Sequence, residues 1–175
     1  MSRTLRRAGP EDAEVISETL QIGFDGYRAF APPGWRPPDA RSENEIARVR
    51  VRLAEPTTWA MIAEDGGLVA GHAGYVPQPG APGSAHLWQL FVRPPWWGSG
   101  VAAALIDEAL AAAAAEGYRR MRLFTPREQG RARAFYEREG FRHTGWEAFE
   151  ETIGLVLVEY ARERLEAGTD GSGRR

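Results

Sequence analysis

Hydrophobic and polar positions follow two different periods along this 175-residue chain, and the changes of period mark its elements. Residues 4–7 read as a short first strand. Gly9-Pro10-Glu11-Asp12 is a turn into a helix, with acidic residues in the first turn, where the helix dipole favours them. Val15, Ile16, Thr19 and Leu20 keep helical spacing and carry that helix to about Ile22. A second helix is predicted over residues 42–53. Ile46, Val49 and Leu53 share a face there, and Ser42 with Glu45 three residues on fits a capping box. Residues 58–63 and 68–76 read as a hairpin turned at Glu64-Asp65-Gly66-Gly67. Residues 86–92 form a short buried strand, and residues 101–116 an Ala-rich helix closed by Gly117. Residues 120–125 are the next strand, parallel to 86–92, because a strand–helix–strand unit crosses over right-handed. A short helix over 130–139 stops at Gly140, and strands over 141–144 and 152–160 close the fold. Residues 1–166 are expected to form a single domain, and the polar AGTDGSGRR of residues 167–175 a flexible tail.

Two stretches depart from either period. GFDGYRAFAPPGWRPPD, residues 23–39, mixes Pro and Gly with Phe24, Tyr27, Phe30 and Trp35. It reads as an ordered loop whose rings either fold over a pocket or pack on the core. The other runs from His86 to Glu116, where Gly98, Ser99, Gly100, Val101 and Ala102 join strand to helix. Small residues let a backbone approach a ligand, and the amides at a helix start carry partial positive charge. Strand, glycine turn and helix start together point to an anion site, most often one for phosphate.

Composition narrows the chemistry. The net charge of -2 lacks the basic balance of a general nucleic-acid binder. With no cysteine there is no disulfide, thiolate metal site or cysteine nucleophile. His72, His86 and His143 are widely spaced and make no HExxH pattern, so no metal is expected. All 22 basic residues are arginine, in keeping with a bacterial-like high-GC codon bias, and a Walker phosphate loop therefore has no lysine to use. Neither a signal peptide nor a membrane-length apolar run is visible, so a cytoplasmic enzyme is expected.

The order of elements, an α/β arrangement with a central mixed sheet, resembles the GCN5-related N-acetyltransferase (GNAT) family. Three segments carry the resemblance: HLWQLFVRP at residues 86–94, WGSGVA at 97–102, and RARAFYEREGF at 131–141. The second matches the family's [QR]-x-x-G-x-[GA] loop at every position but the first, where Trp97 stands. The third is similar to the block A-x-x-F-Y-E-x-x-G-F. The resemblance implies a mostly antiparallel sheet with a splayed parallel pair flanked by helices. It also implies acetyl-coenzyme A as co-substrate, without a metal. Its pyrophosphate would lie on the amides of Gly98, Ser99, Gly100, Val101, Ala102 and Ala103, beside Trp97. Its pantetheine arm would pair with backbone groups of Leu90, Phe91 and Val92. Gln129 stands where many members have a cofactor-contacting Asn. Arg131 and Arg133 are within reach of the adenosine phosphate or simply solvated. Tyr136 occupies the place of the general acid that protonates the departing thiolate. His86 occupies that of the base, with Glu64 as another candidate; His72 and His143 read as structural. Trp97 either packs under the loop or lies against the cofactor.

The acceptor implied is a primary amine on a small molecule or a peptide, with no nucleic acid or membrane partner. Its pocket is expected between the aromatic loop, the strand around Tyr75 and residues 146–149. A homodimer through residues 152–160 is a further expectation. Two other readings stay open. A dinucleotide site needs an acid at the end of the next strand, where Thr125-Pro126 stands. A non-catalytic acyl-coenzyme A sensor would have the same fold.

Overall fold

The computed structural model describes residues 2–166. The segment 167–175, expected to be a flexible tail, lies outside the described residues. Arg3–Arg7 forms β1, followed by α1 (Ala13–Gly26), α2 (Glu43–Ala54) and the hairpin β2 (Trp59–Asp65) and β3 (Leu68–Pro77). Next come β4 (Ser84–Val92), α3 (Val101–Ala115), β5 (Arg120–Pro126), α4 (Gly130–Arg138), β6 (Arg142–Glu150) and β7 (Leu155–Glu163). The strands make one sheet in the order β1-β2-β3-β4-β5-β7-β6. All neighbours run antiparallel except β4 and β5.

Alternation along the strands divides the core into two layers. On one face Tyr75, Leu87, Met121, Leu123 and Tyr160 pack against Val101, Leu105, Ile106 and Ala109 of α3 and Tyr136 of α4. On the other, Ala60, Ile62 and Trp88 pack against Ala13 and Ile16 of α1 and Val49 and Leu53 of α2. The Ser42 hydroxyl caps α2 by accepting the Glu45 N–H at 3.3 Å.

Boundaries and strand placement differ from the sequence reading at three points. α1 continues to Gly26 and a further helical turn over Tyr27–Ala29, so Phe24 lies in helix. β6 extends past Thr144 to Glu150, because a bulge between His143 and Glu147 absorbs the Gly145-Trp146 interruption that reads as a strand end. β7 runs Leu155–Glu163, later than the 152–160 read from the sequence because residues 151–154 form the turn out of β6, and it lies between β5 and β6. Both its edges are therefore spent on neighbours, and the free edge on that side is β6.

Candidate active site

The sheet opens where β4 and β5 part. Their parallel ladder consists of Ser84↔Arg120, Ala85↔Met121 and His86↔Arg122. Beyond it β4 stays with β3 as far as Gly71↔Val92, and β5 stays with β7 as far as Pro126↔Leu157. A bulge starts the divergence: Leu87 faces Tyr75 and Gln89 faces Gly74, leaving Trp88 as the extra residue. The gap widens into a cleft of about 1970 Å³.

Strand parity decides which backbone groups face the gap. Arg93 N–H donates to Ala70 O on β3, so Phe91, two residues back, also turns its backbone toward β3. The Phe91 carbonyl presses on Gly71, where an added Cβ would lie 2.5 Å from it. Leu90 and Val92 therefore present their backbone groups to the gap, whereas Phe91, expected among them, contributes its ring. That ring packs edge-on against Phe24 of α1 at 5.9 Å.

The turn after β4 is built as an anion cradle. Gly98 and Gly100 sit at φ 75° and 86°, a left-handed backbone that side-chain-bearing residues avoid. Gly100 caps α3. The first main-chain bond of that helix runs from Ala104 N–H to Gly100 O at 3.0 Å. The amides of Val101, Ala102 and Ala103 precede it and are left for a ligand at the positive end of the dipole. Val101 offers its amide alone, since its side chain is fully buried. Ser99 departs from expectation: its N–H donates to Trp96 O at 3.2 Å and its hydroxyl to the same oxygen at 2.6 Å. Arg3 braces the turn through Ser99 O at 3.0 Å.

Trp97 lies across the mouth of the gap. Its indole N–H donates to Val92 O at 2.8 Å, and the Arg131 guanidinium stacks on its ring at 4.6 Å. One of the backbone acceptors expected to hold a ligand is thus engaged by the residue that departs from the family loop. Arg133 is committed elsewhere, to Tyr160 Oη at 3.0 Å and Arg127 O at 2.9 Å, and so is not free for an adenosine phosphate.

Tyr136 enters the cleft from α4, and the FYEREGF block explains its placement. Gly140 N–H donates to Glu137 O at 3.1 Å and Phe141 N–H to Tyr136 O at 2.9 Å. These are the two bonds of a Schellman cap, which needs the left-handed Gly140 at φ 85°. The accompanying apolar contact is Phe141 on Tyr136, ring centroids 5.8 Å apart. Burial pushes the Tyr136 hydroxyl well above the usual phenol range, so it is protonated at neutral pH. Tyr27 lines the same cleft, and burial with the proximity of Tyr136 raises its hydroxyl likewise. Gln129 is the N-cap residue of α4 and accepts from the Thr125 hydroxyl at 3.2 Å.

His86 stands at the apex, its ring 5.4 Å from Phe124. Burial, with the Arg122 and Arg52 guanidiniums and against an opposing effect of Glu159, lowers its pKa to about 4. Its Nδ1 is buried without a partner among the described residues. A neutral ring so placed holds its proton on the cleft-facing Nε2, since an orphaned buried N–H is rarer than an unfilled lone pair. This makes His86 a weak proton acceptor. Glu64, the other base candidate, pairs with Arg6 at 2.8 Å on the β1 side of the sheet, away from the cleft. His72, read from the sequence as structural, is buried.

Phe24, Tyr27 and Phe30 of the aromatic loop line the cleft. Trp35 ties that loop to the β6–β7 turn through Ile153 O at 2.8 Å. The other two expected walls are corrected. Tyr75 is fully buried under α3, stacked on Trp59 at 5.2 Å. Trp146 packs on Phe124 at 4.9 Å, and Phe149 is exposed; neither lines the cleft. A residue the sequence reading passed over is Gln89, a polar side chain in the apolar run LWQLFV that lines the cleft while almost wholly buried.

Among the described residues no cluster suited to a metal ion occurs, and no helix is long and apolar enough to cross a membrane.

Comparison with known proteins agrees with this architecture. Residues 22–141 match the model of the Acetyltransferase (GNAT) family. Uncharacterized N-acetyltransferases from Mycobacterium bovis and Mycobacterium tuberculosis are 32% identical over 103 residues, 59% of this chain. The match spans 65% of the length of those relatives. Among solved structures, a Desulfovibrio desulfuricans protein assigned to GNAT acetyltransferases superposes with TM-score 0.71 at 25% identity, over 93% of this chain and 99% of that one. The PaiA N-acetyltransferase of Thermoplasma acidophilum, solved in complex with coenzyme A, superposes with TM-score 0.66 at 19% identity, over 93% and 99%. With a family match over most of its length, a sheet parted between β4 and β5, and a glycine turn opening α3 beside the gap, the chain belongs to the GCN5-related N-acetyltransferase family.

Proposed function

We propose that this protein transfers an acetyl group from acetyl-coenzyme A to a primary amine of a small molecule or peptide, by direct attack in a ternary complex. The observation that carries the reading is one cleft joining three features: the parted strands, the free amides of α3 and a protonated Tyr136. Acetyl-coenzyme A supplies an acetyl thioester as electrophile and a pyrophosphate as anion. The amides of Gly98, Gly100, Val101, Ala102 and Ala103 suit that anion. The gap-facing backbone groups of Leu90 and Val92 suit an extended, amide-bearing arm, and an N–H there is placed to stabilise charge on a carbonyl oxygen. Gln129 and Trp97 flank the arm's path.

In the transfer the amine nitrogen bonds to the thioester carbon and the carbon–sulfur bond breaks. Tyr136 gives its proton to the sulfur and regains one from water, which closes the cycle. The nitrogen's proton leaves to water. His86, with its low basicity, is a neutral wall beside two guanidinium groups that disfavours an ammonium, so the amine arrives deprotonated. The absence of cysteine fits direct attack rather than a cysteine-borne acyl intermediate.

Titration calorimetry with acetyl-coenzyme A, followed by a screen of amines for release of free thiol, tests the proposal. Saturable binding and amine-dependent thiol release are expected. Absence of acetyl-coenzyme A binding at high micromolar protein would refute it.

A further inference from the structure

Two buried polar side chains beneath the cleft have no part in the steps above. Gln89 is 6% exposed and His72 is 2% exposed. They meet across β4 and β3, His72 Nε2 to Gln89 Oε1 at 2.6 Å. Such a pair replaces apolar contact in a strand interior, and burying it is costly unless its groups are matched.

The match fixes the direction of the bond. His72 is neutral, because burial lowers its pKa to about 4. Its other nitrogen, Nδ1, is buried and has no partner among the described residues. A proton on Nδ1 would be an orphaned buried donor; a lone pair there is the lesser cost. The proton therefore sits on Nε2, which donates to the Gln89 carbonyl. With its oxygen held, Gln89 turns the donor end of its amide, two N–H groups and no acceptor, toward the cleft that it lines.

Position decides what those donors meet. Gln89 shares a sheet face with Phe91, which packs on Phe24 of α1, and the β4 bulge puts Trp88 on that face too. Its amide oxygen is held toward β3 by His72. The NH2 end therefore opens on the face that Gln89 shares with Phe91 and Phe24, both of which line the cleft.

We propose that Gln89 is a specificity-determining residue that binds a carbonyl or carboxylate oxygen close to the acceptor's amine, with His72 as the positioning residue that aims it. The inference rests on the acetyl-transfer reading and narrows the acceptor to amino acids, amino-acid amides or peptide N-termini over simple alkyl and aryl amines.

The test compares matched amines with acetyl-coenzyme A as donor: alaninamide and alanine against isopropylamine, phenylalaninamide and phenylalanine against phenethylamine. Gln89→Met keeps the size and removes both donors. The expected result is a fall of about tenfold in kcat/KM for the oxygen-bearing amines, the loss of one hydrogen bond, against a change within about twofold for the alkyl partners and for acetyl-coenzyme A affinity. The amide and carboxylate arms show which oxygen is bound. His72→Asn should lower the same class selectively, and Gln89→Glu, which puts acceptors where donors were, should not restore it. An equal fall for both classes overturns the proposal, as does acetylation of alkyl amines alone by the wild type. So does the absence of any acetylated oxygen-bearing amine while acetyl-coenzyme A binds. Failure of the wild type to bind acetyl-coenzyme A would instead refute the acetyl-transfer reading and the inference with it.

Discussion

His72 should make the protein's stability fall as the pH drops from neutral to mildly acid. The ring is fully enclosed between β3, β4 and α1, and burial lowers its pKa from 6.5 to about 4. The folded state therefore binds this proton less readily than the unfolded chain. Above pH 6.5 both states are neutral and the group's stabilising contribution is intact. Between about 6.5 and 4 the unfolded chain takes up a proton that the fold refuses, and that contribution is lost. A single group with these two values costs about 2 kcal/mol at pH 5 and about 3 kcal/mol at pH 4. Carboxylates such as Asp12, held below its ordinary value by Arg6, weaken the fold over part of the same range, and His86 adds a further loss. The comparison that isolates His72 is urea unfolding of wild type and His72→Asn at pH 7, 6 and 5. The variant is offset at every pH by the altered bond to Gln89, but its pH dependence should be shallower. The stability difference should shrink by about 2 kcal/mol between pH 7 and pH 5. A difference that stays constant over that interval would show that the fold does not oppose protonation of His72, and would refute the reasoning.

The remaining expectations concern the proposed transfer. Tyr136→Phe keeps the ring against Phe141 and removes the proton donor; kcat should fall at least about tenfold with acetyl-coenzyme A affinity within about twofold, and an unchanged kcat would remove Tyr136 from the chemistry. Trp97→Phe releases Val92 O from the indole N–H, so calorimetry should show acetyl-coenzyme A binding a few-fold more tightly, about the worth of one exposed hydrogen bond. Weaker binding would mean that the indole contacts the ligand instead. Because His86 titrates near 4, kcat/KM should rise with pH along the acceptor amine's own ionisation and show no separate limb near 6.5. A limb there that disappears in His86→Gln would restore this histidine as the base.

Local signals in the chain determined a good part of this protein. Period and punctuation sufficed for the order of elements, because each short signal is satisfied within its own neighbourhood. Gly98 and Gly100 mark the left-handed turn before α3, and Gly140 with Phe141 marks the cap that carries Tyr136. Tertiary structure decided the rest. β6 reads as ending at Thr144, since nothing local announces a bulge that β7 stabilises from the other side. Tyr75 looks like a pocket aromatic until the sheet turns it under α3. Which of Leu90, Phe91 and Val92 face the gap depends on register with β3, which no single strand contains. The meaning of Trp97 came from Val92 O and Arg131, and that of Gln89 from His72, 17 residues away in sequence and 2.6 Å away in space. A side chain's role in a cleft depends on which of its hydrogen-bonding groups are already spent, and that is settled only when distant strands are brought side by side.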